Sequence, residues 1–196
     1  MLLKKNRLFL ILPFLAICTS CGNDNYTPKP KGYFRIDLPK KEYTNINKDC
    51  PFIFDIPSYV TLSQNKNNPD KPCWFDINFT SLNASIYLSY KNVNNNLNEY
   101  LEDSRTLAFK HTVKANDIEQ KNIFYPEKKV YGLVYLIEGD AASSYQFHLT
   151  DSTHHFLRGS LYFNNIPNQD SIQPVLDFVK EDISKLIETF EWKENN

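Results

Sequence analysis

The most definite chemistry in this chain belongs to Cys21. It closes the stretch MLLKKNRLFLILPFLAICTSC, directly after the small residues Thr19 and Ser20. A cysteine so placed is the acceptor of a bacterial lipobox. Its thiol takes a diacylglycerol, and cleavage then leaves it as the first residue. Cys18 occupies the position where leucine is usual, and it is itself a poor acceptor because the bulky Ile17 precedes it. The alternative is an ordinary cleaved signal that leaves Cys21 free or paired.

Cys50 and Cys73 are the other two cysteines beyond residue 20. In an exported chain an isolated pair reads as a disulfide, which would restrict the unfolded chain by about 3 kcal/mol. Two buried thiols or a labile redox pair stay open as alternatives. The spacing is not C-x-x-C, so an oxidoreductase has little support.

The histidines and serines offer weaker constellations. His148, Asp151 and His154 can be drawn as a metal site, yet the neighbours His154 and His155 would face opposite sides of a strand. No second ligand pair at metal-like spacing accompanies them. Ser143, Ser144, His148 and Asp151 include the residue types of a hydrolase triad, but they fall in one short hairpin and lack the G-x-S-x-G elbow. The acidic pairs Glu102-Asp103 and Glu181-Asp182 read as solvated helix faces, where nothing would raise a carboxyl pKa. No metal, cofactor or catalytic residue is nominated, and the chain is expected not to be an enzyme.

The elements that would carry these residues follow from periodicity. Lys4, Lys5 and Arg7 precede an apolar run of about ten residues, half of what a membrane-spanning helix needs. Residues 1–20 therefore read as a lipoprotein signal peptide. Residues 21–32 read as a lipidated cysteine and a flexible tether, reaching at most ~35 Å. Residues 33–196 read as one globular domain. Tyr33–Pro39 alternates apolar and charged residues, as an edge strand or a strap would. Strands are expected at Phe52–Ile56, Tyr59–Leu62, Cys73–Phe79, Ala84–Tyr90, Val130–Ile137, Ser144–Thr150 and Phe156–Phe163.

Helical spacing runs from residue 97 to 112, with Asn96 and Glu99 as a capping box. A longer apolar stripe joins Ile172, Val175, Leu176, Val179, Ile183, Leu186, Ile187 and Phe190. Pro174 places that helix's first turn, with Asp170 or Ser171 as its cap. The strand from Val130 is apolar on both faces and so needs cover on both sides. These elements give class α+β: a mostly antiparallel sheet packed with two main amphipathic helices, extending to three layers. That order resembles the sandwich of Mog1/PsbP-type domains.

Composition narrows the partners. Removing Lys4, Lys5 and Arg7 takes the 22 basic residues to 19 against 23 acidic ones, a mature charge of about −4. No basic surplus remains to neutralise a phosphate backbone, so no nucleic acid is expected. The 14% aromatic content suits a strand-rich domain.

Several stretches together resemble one family, the gliding-motility lipoprotein GldD of gliding bacteria. They include Pro28-Lys-Pro-Lys-Gly-Tyr-Phe-Arg-Ile-Asp-Leu-Pro39, Cys73-Trp-Phe75, Glu102-Asp-Ser-Arg105, Lys128-Lys-Val-Tyr-Gly132 and Leu149-Thr-Asp-Ser-Thr-His-His-Phe-Leu-Arg-Gly159. The resemblance implies a lipoprotein needed for gliding motility and the associated type IX secretion, with acyl chains such as palmitate on Cys21. It implies a cell-envelope location facing the periplasm and partners among other motility or secretion envelope proteins. The family offers no catalytic residues to carry over. The expected role is a non-enzymatic assembly or accessory factor, with contact surfaces at Tyr33, Phe34 and Arg35 and at His154, His155 and Arg158. The competing reading is an envelope enzyme or binding domain acting on peptidoglycan or polysaccharide, which would need two facing carboxylates in a cleft.

Overall fold

The computed structural model describes residues 32, 33 and 35–193. The chain divides into two units, Met1–Arg35 and Ile36–Asn196, and every described element lies in the second. The signal sequence, Cys21, most of the tether and Phe34 lie outside the described residues. No helix among the described residues is long and apolar enough to cross a membrane.

In chain order the elements are β1 (Tyr43–Ile46), β2 (Phe52–Pro57), β3 (Thr61–Gln64), β4 (Phe75–Phe79), β5 (Ala84–Asn92), α1 (Leu97–Phe109), β6 (Ala115–Tyr125), β7 (Val130–Gly139), β8 (Tyr145–Thr150), β9 (His155–Phe163), α2 (Gln169–Thr189) and β10 (Glu191–Trp192). Seven strands form one sheet in the order β3-β4-β5-β9-β8-β7-β6, and three form a second in the order β1-β2-β10. Neighbours in both sheets are antiparallel. Because β5 pairs with β9 while β6 is the far edge, the chain must cross half the sheet between β5 and β6. Helix α1 makes that crossing.

Alternation assigns the two faces of the large sheet different chemistry. Ile77, Ile86, Leu88, Phe147, Leu149, Leu157 and Leu161 are buried in the main core with Leu176, Val179, Ile183 and Leu186 of α2. Each such side chain contributes about 1.5–3 kcal/mol by leaving water. The opposite face meets α1 in a smaller cluster of Ala108, Tyr135, Ile137 and Ala141. All six residues of β8 are buried, as a strand covered on both sides requires. The three-layer α+β architecture expected from the periodicity is the one found. On the apolar face Gly159 cannot be larger: a Cβ there would sit 2.3 Å from the Phe147 ring.

The structure departs from the periodicity in several places. Strands β1, β6 and β10 were not expected. β6 is an edge strand of largely exposed polar residues, whose charges discourage further pairing. The third strand spans Thr61–Gln64 rather than Tyr59–Leu62. Among the described residues of Tyr33–Pro39 there is no strand. Asn96 stands at the start of α1, but its side chain forms no cap bond and instead accepts from the Asn94 N–H. Asn168, not Asp170 or Ser171, caps α2 by accepting the Ser171 N–H at 3.2 Å. That earlier start puts Pro174 inside the helix rather than in its first turn, so one helical hydrogen bond is given up.

Asp182 is also not where it was expected. It is 2% exposed, on the α2 face turned toward the small sheet. Tyr43 donates its hydroxyl to Asp182 Oδ1 at 2.8 Å, and the Tyr59 hydroxyl donates to Oδ2. Lys41 Nζ lies 3.3 Å from Oδ1, donates to the Phe178 carbonyl at 2.8 Å and sits 4.2 Å over the Phe178 ring. Burial, then the Asp182 contact, raises both tyrosine pKa values well above the ordinary phenol range. The cluster pins the chain leading into β1 onto the long helix.

Candidate functional site

The sheet face under α1 gathers a cluster of polar side chains. Its inward positions are polar: Gln146 and His148 on β8, Arg158 and Ser160 on β9, Tyr87 and Ser89 on β5. The register sets Gln146 opposite Ser160, His148 opposite Arg158, and Ser89 on the far side of Arg158. Period-2 alternation places all of them on one face because their strand partners Phe147, Leu157 and Leu161 face the main core.

Helix α1 covers part of this face and leaves a groove of about 280 Å³ between itself and β5 and β9. Tyr100, Asp103, Ser104 and Leu107 form the helix wall, and Tyr87, Lys91, Phe156 and Arg158 line the sheet side. Trp74 closes one end and is shared with an adjoining groove of about 430 Å³ that runs past Lys71 and Cys73. The Trp74 ring is fixed by donation of its indole N–H to the Tyr90 carbonyl at 2.7 Å. Tyr100 packs on Phe156 with ring centroids 5.5 Å apart, and Lys91 Nζ lies 4.3 Å over the Tyr100 ring. Of the lining residues, Lys91 and Arg158 are cationic and Asp103 is the one carboxylate. The groove is therefore aromatic and basic inside a chain of net negative charge.

Arg158 is the least ordinary member. Its Nη2 donates to Gln146 Oε1 at 2.6 Å. Among the described residues no carboxylate lies within ion-pair distance of it. Burial weakens its hold on the proton, with Tyr162 and Tyr135 acting the other way. Three nearby polar atoms are buried without a partner among the described residues: Gln146 Nε2, Arg158 Nε and Ser160 Oγ.

His148 faces Ser104 across 3.3 Å, Nδ1 to Oγ. Burial, then the Arg158 charge, lowers its pKa to about 4, so it is neutral at pH 7. Both residues are 2% exposed, and the pair packs α1 onto β8.

The remaining residues singled out by sequence are distributed as follows. Cys50 and Cys73 are joined in a disulfide with Cα atoms 5.8 Å apart. Tyr33 and Arg35 are exposed, and Phe34 lies outside the described residues. His154 is exposed, but His155 is not: it is 7% exposed and stacks on Trp192 at 5.1 Å, with Tyr90 OH 2.7 Å from its Nδ1. The unread strand β10 supplies that cover. Arg158 is likewise drawn under α1 rather than displayed on the surface. His155 and Arg158 also alternate out of phase, so the expected patch of His154, His155 and Arg158 does not form.

Asp151 shapes the turn. Its Oδ1 accepts the N–H groups of Thr153, His154 and His155 at 2.8–3.0 Å. Burial pushes the carboxyl up, but these donors outweigh it and hold the pKa down at about 2. Among the described residues no group of three His, Cys, Asp or Glu is placed to hold a metal ion.

Sequence reasoning missed the polar cluster under α1. The signal was present in the alternation of Tyr145-Gln-Phe-His-Leu-Thr150, in which every second residue is polar within a strand otherwise fit for the core.

The fold defines the class: a PsbP-like α+β sandwich, here with a basic aromatic groove on its polar sheet face. It is similar to the solution structure of cyanobacterial PsbP (CyanoP) from Synechocystis sp. PCC 6803, with a TM-score of 0.50 at 7% identity, covering 81% of this chain and 97% of that one. That likeness speaks to the fold alone. No curated protein matches the chain in sequence. A family model described as gliding motility lipoprotein GldD matches residues 23–192. The chain belongs to the gliding motility lipoprotein GldD family, and is thereby a membrane-anchored lipoprotein of the cell envelope with a role in gliding motility.

Proposed function

We propose that this lipoprotein is a non-enzymatic assembly or accessory factor for gliding and for the associated type IX secretion. Residues 1–20 are its signal peptide, Cys21 carries the lipid, and the domain faces the periplasm. It acts by holding other envelope proteins near the membrane. Two or three acyl chains suffice for this, since each buried CH₂ contributes about 0.8 kcal/mol. The observation that carries the reading is the furnishing of the groove: Lys91 and Arg158 beside the rings of Trp74, Tyr87 and Tyr100, with Asp103 as the one carboxylate on its walls. Such a surface favours recognition of a protein segment over the paired-carboxylate chemistry of a glycan hydrolase.

Cys21→Ala tests the anchored part. The variant is expected to leave the membrane fraction and to abolish gliding and secretion, while a transmembrane helix fused in place of the lipid restores both. Normal gliding by an unlipidated, soluble variant would overturn the proposal.

A further inference from the structure

The groove has more to say about its ligand than its sign of charge. Arg158 is a guanidinium sunk into a sheet face, with Gln146 as its hydrogen-bond partner, His148 opposite it in the register, and no carboxylate within ion-pair distance among the described residues. A cation in such a place is ordinarily paired, because desolvation costs several kcal/mol. Beside it, Gln146 and Ser160 are 1% and 2% exposed and face each other across the β8–β9 register. Gln146 Nε2, Arg158 Nε and Ser160 Oγ are all able to donate, and none has an acceptor among the described residues. Unmet buried donors of this kind are destabilising. Of these residues Arg158 lines the groove, and its guanidinium there suits an oxyanion with several lone pairs.

We propose that the groove binds an acidic peptide segment of a partner protein, with one carboxylate seated on Arg158 and an apolar side chain lodged against Trp74 and Tyr100. The planar guanidinium fork matches a carboxylate in two parallel hydrogen bonds. Lys91, at the rim over Tyr100 and 3.9 Å from Asp103, supplies a second positive charge for a neighbouring acidic residue. Trp74 and Tyr100 offer apolar faces at the junction with the adjoining groove, and Lys71 extends the positive charge along it. The two grooves share Trp74, Lys91 and Tyr100 and lie side by side, which fits several residues of extended chain rather than a lone ion. This deepens the assembly-factor reading and rests on it for its biological use, though the binding itself can be measured apart.

The test uses the full chain in detergent and two fluorescent peptides, acetyl-Phe-Glu-Phe-Glu-amide and its glutamine counterpart acetyl-Phe-Gln-Phe-Gln-amide, followed by polarisation. The acidic peptide is expected to bind at least about tenfold more tightly than the neutral one, as charge-assisted hydrogen bonds would give. That preference should shrink with added salt. Arg158→Gln should abolish the preference. Lys91→Glu, at a part-exposed rim position, should weaken the acidic peptide about tenfold with the melting temperature unchanged, which excludes unfolding as the cause. Equal binding of the two peptides, or binding of neither, overturns the proposal, as does inorganic phosphate displacing the acidic peptide as readily as acetate does. In cells, Lys91→Glu separates the two levels. A variant that loses peptide binding yet glides normally would overturn the assembly reading for this groove, while peptide recognition stands.

Discussion

Asp182→Ala is expected to destabilise the protein by about 2–4 kcal/mol, the cost of leaving two hydroxyl donors without their buried acceptor. Asp182 is almost fully buried and meets Lys41 and the hydroxyls of Tyr43 and Tyr59 at once. Alanine would leave the two tyrosine hydroxyls without their acceptor, while the Lys41 ammonium keeps Glu181 at 2.7 Å and the Phe178 carbonyl at 2.8 Å. Asp182→Asn keeps the volume and one acceptor oxygen and should cost less, about 1–2 kcal/mol. Urea denaturation of the two variants beside the wild-type chain measures this. Equal midpoints for wild type and Asp182→Ala would show that the cluster carries no stability.

The second large effect concerns the Cys50–Cys73 bond. It ties the start of β2, in the small sheet, to the loop before β4, in the large one, across a sequence separation of 23. On the loop-entropy model its removal costs about 3 kcal/mol. Replacing both cysteines by alanine avoids a free thiol, and their near-complete burial means that packing is lost as well. For a domain of this size the melting temperature should fall by about 6–12 °C. Reductant should lower the wild-type melting temperature by a somewhat smaller amount, since the thiols keep their packing, and should not change that of the double variant. A wild-type melting curve insensitive to reductant would contradict the assignment of stability to this bond. Cys73 also lines the groove past Lys71, so the bond braces one end of the proposed binding surface.

The fold was largely legible in the sequence because its strongest elements obey a single period. The stripe from Ile172 to Phe190 and the alternation in Phe75–Phe79 and Ala84–Tyr90 report burial directly, and their helix and strands are found close to the expected bounds. β6 was not legible: Ala115-Asn-Asp-Ile-Glu-Gln-Lys-Asn is polar on both sides, since an edge strand held by backbone pairing to β7 needs no apolar face. β10 is two residues long and exists only because β2 is there to pair with it. Asp182 falls three residues after Val179 and four before Leu186, on the buried stripe itself. Its carboxylate suggested solvent, and only Tyr43, Tyr59 and Lys41, distant in sequence, explain its burial.

The proposed binding site was legible in part. Sequence nominated Arg158, but as a surface residue grouped with His154 and His155. Strand alternation separates Arg158 from His155, and the covering elements come from elsewhere: α1 over Arg158, β10 over His155. Gln146, Ser160, Trp74 and Lys91 lie on β8, on β9, before β4 and on β5, so no local spacing could have joined them. Cys21 remains a reading of sequence grammar, two residues before the family match begins at residue 23.

The central claim is that this lipoprotein works by holding envelope proteins in the groove beside α1. Leu107, 38% exposed on the groove wall, is the place to ask. A photo-crosslinking amino acid at Leu107, activated in intact gliding cells, is expected to give covalent adducts with motility or secretion envelope proteins, attached through acidic segments. The same probe at Phe124, 69% exposed on the β6 edge, should give none. Identical adducts from both positions, or only glycan at Leu107, would contradict the account.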